Sequence, residues 1–452
     1  MLYDVFKPVV AVALRWYYRR VSVTGLERVP REGPVFLAVN HPNALVDALV
    51  VGVVTPRRVG FTAKATIFAN PLVARFLTRA GVVPLRRAAD EAKRGNAAVG
   101  DPSRNAASFD AVAQALARGS AIVIFPEGKS HDDPRLAPLR TGLARMAIHA
   151  AQQFGVRGIR IVPVGLLFER KEIPRSRVLM QVGEPIDVDA MLAASVQVQT
   201  LTEVVADRLQ AVTLNFESTE DAERLQMVGS TLAALLSPAP AIGDDDTPLG
   251  DTLAVVRRLE RARRLLLERQ DVALEARASA FETRVRAFRA RLDALQLDVH
   301  DVAINAGTTQ GIRFAVRELL LASVMAPVGA WGRLTHALPI QLTRSLALRN
   351  VTSRDEPAMN TLVLGLVLVL LAYAVETAVV GWLLGPWVAL AFFVTLVPSA
   401  SSDLRYGDRM RRARARVRAF FTFRRDPSVQ RELMMEGDAL RREAGELERL
   451  VQ

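Results

Sequence analysis

His41 and Asp47 lie six positions apart in the segment NHPNALVD and are of the types that can do acid–base chemistry together. A histidine at a strand end can act as a general base, and a carboxylate one turn into the next helix can orient it. Six residues do not return to the same helical face, so the contact requires a turn at Pro42-Asn43 that brings His41 back over the helix. The residues alone fit equally well an ordinary strand-to-helix turn with Asn43 as the capping side chain.

Two further segments contain groups that could bind an anion or a polar ligand. Arg86 and Arg87 follow a short apolar segment, and two guanidinium groups can hold a phosphate through bidentate hydrogen bonds. Glu127 and Gly128 follow the apolar run SAIVIFP, at the end of a predicted strand, where open parallel sheets bind ligands. Each segment alone also fits a solvated arginine pair or an ordinary turn. The chain has no cysteine and no HExxH spacing, so the sequence predicts no metal site.

Alternating apolar runs and helical patterns must position these residues. Patterns typical of helices occupy 105–119 and 142–155 and separate apolar runs that are predicted to be buried strands. The predicted strands cover 34–40, 58–64, 120–126, 159–168 and 177–183. Strands of this kind alternating with helices predict an α/β domain over 21–190, with a mostly parallel sheet flanked by helices.

Four segments in order, NHPNALVD, GVVPLRR, FPEGKSH and VPVG, resemble the four sequence blocks of the glycerophospholipid acyltransferase superfamily, with its lysophosphatidate acyltransferase-like domain. The chain departs from the common pattern at two places. Five residues instead of four separate His41 from Asp47, and Ser130-His131 replace the usual Arg-Ser of the third block. Both departures are similar to the branch of fungal glycerol-3-phosphate/dihydroxyacetone-phosphate acyltransferases and their bacterial relatives.

The resemblance implies a role for each matching residue. His41 would deprotonate the acceptor hydroxyl, and Asp47 would orient His41 and stabilise its imidazolium form. Positions for binding the phosphate-bearing acceptor would be Arg86, Arg87, Glu127 and Gly128. Pro163, in the block VPVG, would shape the acyl-donor side. The family uses no cofactor, with acyl-CoA or acyl-ACP as co-substrate.

The predicted function is therefore that of a membrane-bound O-acyltransferase in phospholipid synthesis. It would transfer a fatty acyl group from acyl-CoA or acyl-ACP to glycerol-3-phosphate or 1-acyl-glycerol-3-phosphate. The alternative is a catalytically inactive membrane scaffold with an acyltransferase-like fold, against which the intact His41, Asp47, Arg87 and Glu127 argue. The net charge of +12 suits either an anionic membrane or a nucleic acid. Since no nucleic-acid motif or interleaved aromatic pattern is present, no nucleic-acid partner is predicted.

The remaining segments predict attachment to a membrane. Residues 1–20 combine apolar, aromatic and arginine residues as an interfacial helix does, although a buried first helix is the alternative. Residues 191–350 are predicted to be helical, with a Pro/Gly/Asp-rich linker at 238–251. Within them, 319–332 could be a core helix or a partly inserted segment.

Two apolar runs at 361–400 predict a transmembrane or re-entrant hairpin, with a buried soluble hairpin as the alternative. Residues 401–452 would form a basic cytoplasmic helical tail, because Arg405–Arg418 contains seven arginines in 14 residues. The predicted location is the cytoplasmic face of the inner cell membrane, as an integral membrane protein with membrane lipids as partners.

Overall fold

The computed structural model describes residues 2–64, 68–79, 81–85, 102–237, 247–303, 308–347, 349 and 356–451. The chain divides into two compact units. The first unit comprises Met1–Asn215 and Ala347–Val363, and the second comprises Phe216–Leu346 and Leu364–Gln452.

The first unit is an α/β domain. Its strands are β1 (Arg20–Thr24), β2 (Val35–Val39), β3 (Val59–Lys64), β4 (Val82–Leu85), β5 (Ala121–Ile124), β6 (Arg160–Phe168), β7 (Arg177–Val182) and β8 (Ile186–Asp187). Its helices are α1 (Leu2–Tyr17), α2 (Ala44–Val54), α3 (Pro71–Arg79), α4 (Pro102–Ala117), α5 (Gly142–Gln153), α6 (Val188–Ala193) and α7 (Val198–Gln210).

The strands form one sheet in the order β1-β7-β6-β2-β5-β3-β4, with β8 beside β6. Strand β2 pairs in parallel with both β5 and β6, while β7 and β8 run antiparallel to β6. The carboxyl ends of β5, β2 and β6 therefore lie side by side at one edge of the sheet. The predicted α/β class with a mostly parallel sheet is confirmed.

The central strand β2 shows why the sheet is covered on both faces. All five of its residues are buried, and successive side chains alternate between two apolar clusters. Val35, Leu37 and Val39 pack with residues of α1 and α2, whereas Phe36 and Ala38 pack with residues of α4 and α5. A strand buried on both faces needs a continuous apolar run, which is the pattern in the sequence.

All five predicted strands are present, but the sequence did not predict β1, β4 or β8. Strand β4 has four residues and contains Pro84, which is tolerated because β4 lies at the edge of the sheet. Strand β1 lies at the other edge and contains Arg20, Ser22 and Thr24. The first unit also continues beyond residue 190, since α6 and α7 belong to it.

The second unit is helical in its described residues. Its helices are α8 (Thr219–Leu236), α9 (Leu249–Arg269), α10 (Val272–Ala294), α11 (Thr308–Ala347), α12 (Glu356–Leu384), α13 (Pro386–Arg425) and α14 (Pro427–Val451). The first residues of α12 belong to the first unit. The apolar stripe Phe281, Val285, Phe288 and Leu292 of α10 is buried in a cluster that includes residues of α14.

Among the described residues, two helices are long and apolar enough to cross a membrane: Pro357–Leu384 and Pro386–Arg425. Gly385 separates them with a φ of 92°, and Pro386 begins the second. Helix α13 continues without a break from the apolar run 386–400 through the arginine-rich segment. The apolar run is therefore the first part of a longer helix.

Candidate active site

The turn after β2 brings His41 back over the start of α2, as the six-residue spacing requires. The Nδ1 atom of His41 lies 2.9 Å from the Oδ2 atom of Asp47. The same carboxylate oxygen accepts a hydrogen bond from the backbone N–H of Asn43 at 2.8 Å. Asp47 is fully buried, and burial raises the pKa of its carboxyl, whereas the hydrogen bond with His41 lowers it.

Between His41 and Asp47 the chain passes through Ala44, whose φ of 45° is in the left-handed region. Asn43 precedes α2 but makes no side-chain cap, so the prediction of a capping side chain was wrong. Asn43 is buried, and its Nδ2 atom donates to the Tyr18 hydroxyl at 3.1 Å. The N–H of Ala44 instead donates to Oγ of Ser130 at 3.0 Å.

The imidazole of His41 is held on one face by Phe125. The two rings stack with centroids 4.0 Å apart and an interplanar angle of 15°. With Nδ1 donating its proton to Asp47, the neutral ring carries its acceptor lone pair on Nε2. This is the tautomer that a general base requires, and the side chain of His41 is 15% exposed.

Glu127, in the segment FPEGKSH, forms hydrogen bonds that connect this segment to the turn that contains His41. Its Oε1 accepts the backbone N–H of His41 at 2.7 Å, and its Oε2 accepts the N–H of Ala137 at 2.8 Å. Oε2 also contacts Nε2 of His131, and this hydrogen bond raises the pKa of the His131 imidazole. Glu127 is 3% exposed, so both oxygens of this predicted acceptor-binding residue are engaged inside the protein. Gly128, with a φ of 78°, allows the turn that follows.

Lys171 follows β6 and holds the turn from the other side. Its ammonium group donates to the carbonyl oxygen of Pro42 at 2.7 Å and forms an ion pair with Asp132. Ser130, Asp132 and Lys171 thus form a clamp on the turn that carries His41. Sequence reasoning missed the clamp, and the only signal for it was the unusual third block. It forms because β5, β2 and β6 end at the same edge of the sheet.

The remaining predicted site residues are Pro163, Arg86 and Arg87. Pro163 lies inside β6, in register with Ala38 of β2, and its carbonyl oxygen accepts the N–H of Gly183 at 2.8 Å. Arg86 and Arg87 lie outside the described residues. Among the residues that are described, no group of three or more His, Asp or Glu side chains could hold a metal ion.

Part of the chain is similar to known acyltransferases. Residues 20–167, which contain His41, Asp47 and Glu127, match a family model described as Acyltransferase. An uncharacterized acyltransferase of Schizosaccharomyces pombe is 25% identical over 264 residues, which are 41% of this chain and 39% of that protein. Glycerol-3-phosphate O-acyltransferase 1 of Saccharomyces cerevisiae is 32% identical over 128 residues, covering 26% of this chain and 16% of the yeast protein.

A chloroplastic 1-acyl-sn-glycerol-3-phosphate acyltransferase of Arabidopsis thaliana is 23% identical over 157 residues, covering 35% of this chain and 38% of that protein. The crystal structure of the 1-acyl-sn-glycerophosphate acyltransferase from Thermotoga maritima aligns with a TM-score of 0.34 and 18% identity, covering 46% of this chain and 78% of that one. The chain spans less than two fifths of the length of each of these three curated relatives. The region 20–167 belongs to the glycerophospholipid acyltransferase superfamily.

Proposed function

We propose that the protein is a membrane-bound acyltransferase in phospholipid synthesis. It transfers a fatty acyl group from acyl-CoA or acyl-ACP to a hydroxyl of glycerol-3-phosphate or 1-acyl-glycerol-3-phosphate. The observation that carries the proposal is the 2.9 Å contact between His41 and the buried Asp47, in a region of the acyltransferase family. The names of the yeast and plant relatives support a glycerol-phosphate acceptor.

His41 acts as the general base. Its Nε2 atom takes the proton of the acceptor hydroxyl while the hydroxyl oxygen attacks the thioester carbonyl carbon. The tetrahedral intermediate collapses, the C–S bond breaks, and the imidazolium returns the proton to the departing thiolate. Asp47 stabilises the imidazolium and fixes the tautomer, as the aspartate of a Ser-His-Asp triad does. The substrate hydroxyl stands where the serine would be.

Four residues position the turn without touching the substrate. Glu127 bonds the backbone N–H of His41, while Ser130 and Lys171 bond the backbone at Ala44 and Pro42. Asp132 holds the ammonium group of Lys171. Because a small displacement of a catalytic base greatly reduces the rate, these contacts contribute to turnover through the geometry of His41.

Substrate binding completes the proposal. Arg86 and Arg87 bind the acceptor phosphate, Gly128 lies beside the acceptor, and Pro163 supports the acyl-donor side. The reaction needs no cofactor beyond the acyl donor. The apolar helices α12 and α13 support attachment to the membrane, and by the positive-inside rule the arginines of α13 support a location at the cytoplasmic face of the inner membrane.

The proposal is tested with the full chain in phospholipid vesicles. Labelled acyl-CoA or acyl-ACP is supplied with glycerol-3-phosphate, 1-acyl-glycerol-3-phosphate or plain glycerol, which lacks the phosphate. We expect ester formation with one of the two phosphate-bearing acceptors and none with glycerol. No product with either phosphate acceptor, from protein whose circular dichroism and cooperative thermal unfolding show a folded state, would favour the inactive scaffold instead.

A further inference from the structure

Helix α11 has an apolar face that is turned outward. Large apolar side chains recur every three or four residues along it and are between 40% and 74% exposed: Leu320, Val324, Val328, Trp331, Leu334, Leu338 and Leu342. This spacing forms one continuous stripe on an α-helix. In a water-soluble protein such a stripe faces the core, whereas here its side chains are exposed.

The opposite face of α11 is small and polar, and it is buried. A Cβ atom at Gly332 would overlap the carbonyl oxygen of Ser399 in α13, so the two backbones are in close contact. His336 is 2% exposed, and its Nε2 atom lies 2.6 Å from the hydroxyl of Tyr373 in α12. Close contact through small residues and hydrogen bonds between polar side chains are how helices associate in lipid.

Charged residues are rare along the part of α11 that contains the stripe. Between residues 319 and 343 the only Asp, Glu, Lys or Arg is Arg333, which forms an ion pair with Asp403 of α13 at 2.9 Å. Arg317 and Glu318 lie just before this stretch, and Arg344 lies just after it. The Gly, Pro, Ser and Thr residues of α11 lower its mean hydropathy, so hydropathy alone does not identify it as a membrane helix.

We infer that α11 lies in the lipid bilayer beside α12 and α13, with hydrocarbon chains covering its outward stripe. The stripe from Leu320 to Leu342 extends over about 33 Å at 1.5 Å per residue, which matches a hydrocarbon core of about 30 Å. The inference rests on the membrane attachment in the proposed function and adds a third embedded helix to it. It also explains the buried contacts of Gly332 and His336, because helices that lie in lipid associate through small residues and polar side chains.

The absence of cysteine allows a direct test, since each introduced cysteine is the single labelling site. Leu334→Cys and Leu338→Cys report on the stripe. Val375→Cys, which is exposed on α12, serves as the lipid reference, and Ala287→Cys, which is exposed on α10, serves as the water reference. Each variant of the full chain carries a nitroxide label in phospholipid vesicles. Its accessibility to oxygen, which concentrates in lipid, is compared with accessibility to a water-soluble nickel chelate.

We expect the labels at 334 and 338 to match the label at 375, with high oxygen and low nickel accessibility. A response like that of the label at 287 would place the stripe in water and overturn the inference. Low accessibility to both reagents would show a protein contact, such as a second copy of the chain, and would overturn it equally. If the label at 375 also responds like that at 287, the membrane attachment in the proposed function fails as well.

Discussion

The first unit and helix α11 bury different kinds of side chain. In the first unit the sheet is covered by apolar side chains on both faces, and its buried polar groups include Asp47 and Glu127 at one edge. In α11 the buried face contains Gly332, Thr335 and His336, while leucines and valines face outward. The difference teaches that burial of polar groups has two purposes here. In the proposed function one purpose is to position a reacting histidine, and in the further inference the other is to associate helices that lie in lipid.

The largest expected effect is a loss of catalytic rate without unfolding of the first unit. Asp47→Asn keeps the size of the side chain but removes the charge and changes which tautomer of His41 is favoured. We expect kcat for acyl transfer to fall by up to about 10,000-fold, with vesicle association unchanged. Steady-state kinetics with sedimentation of the vesicles measure both. A variant that keeps wild-type turnover would remove Asp47 from the reaction.

Lys171→Met tests whether the clamp acts through geometry. The variant loses the hydrogen bond to the Pro42 carbonyl and the ion pair with Asp132. We expect kcat to fall by up to roughly 100-fold, because His41 is less well positioned, with the KM for the acceptor unchanged. Lys171→Arg should restore part of the rate.

The matched control for the clamp is Lys129→Met, since Lys129 is exposed on the loop that contains Ser130 and Asp132. It should leave kcat near the wild-type value. If Lys171→Met raises the acceptor KM at constant kcat, the ammonium group binds substrate and does not position the turn. Thermal unfolding of both variants separates a catalytic effect from a loss of folded protein.

Gly332→Ala tests the helix contact in the second unit. Its new Cβ atom overlaps the backbone of Ser399, so we expect a loss of about 1–3 kcal/mol in the free energy of unfolding. Gly407→Ala, on α13, is the control, because a Cβ atom there meets nothing within 4 Å and should stabilise its helix by up to about 1 kcal/mol. Unfolding in detergent micelles measures both, and equal stabilities for the two variants would contradict the close approach of α11 and α13.

The smallest expected effect is pH-dependent and concerns His131, which faces Glu127, Asp133 and Lys129. Its pKa is raised above 6.5, chiefly by the hydrogen bond with Glu127. Because this pKa is higher in the folded state than in the unfolded state, protonated His131 stabilises the protein fully at pH values below its unfolded-state pKa. The stabilisation is lost as the pH rises through its folded-state pKa. His131→Gln should therefore destabilise the protein more at about pH 6 than at about pH 9, as chemical unfolding at the two pH values would measure. An equal effect at both pH values would contradict the ion pair.

The sequence predicted the parts of the fold that depend on continuous local patterns. Strands β2, β5 and β6 are apolar runs buried on both faces, and this burial leaves a direct signal. Strand β4 has only four residues and contains a proline, while the edge strand β1 mixes polar and apolar residues. Neither segment needs to be apolar throughout, so a pattern of burial cannot reveal it.

Only the part of the site formed by residues close together in the sequence could be predicted. The spacing of His41 and Asp47 sets a condition on one turn, and that condition could be stated in advance. Lys171 lies 129 residues from Pro42, and no local pattern connects a single lysine to a distant carbonyl oxygen. Asn43 was predicted to cap α2 because its type favours that role, but burial beside Tyr18 directs its side chain elsewhere. Arg86 and Arg87 stay predictions.

The most direct test of the account compares the wild-type chain with His41→Ala in the same vesicles. The rate of acyl transfer from labelled acyl-CoA or acyl-ACP to whichever phosphate-bearing acceptor the wild type uses is measured at saturating substrate. Thermal unfolding shows that both proteins are folded. We predict that the wild type forms the ester and that the variant turns over roughly 100- to 10,000-fold more slowly, because the hydroxyl has lost its base. Turnover by His41→Ala at the wild-type rate would contradict the central role of the histidine.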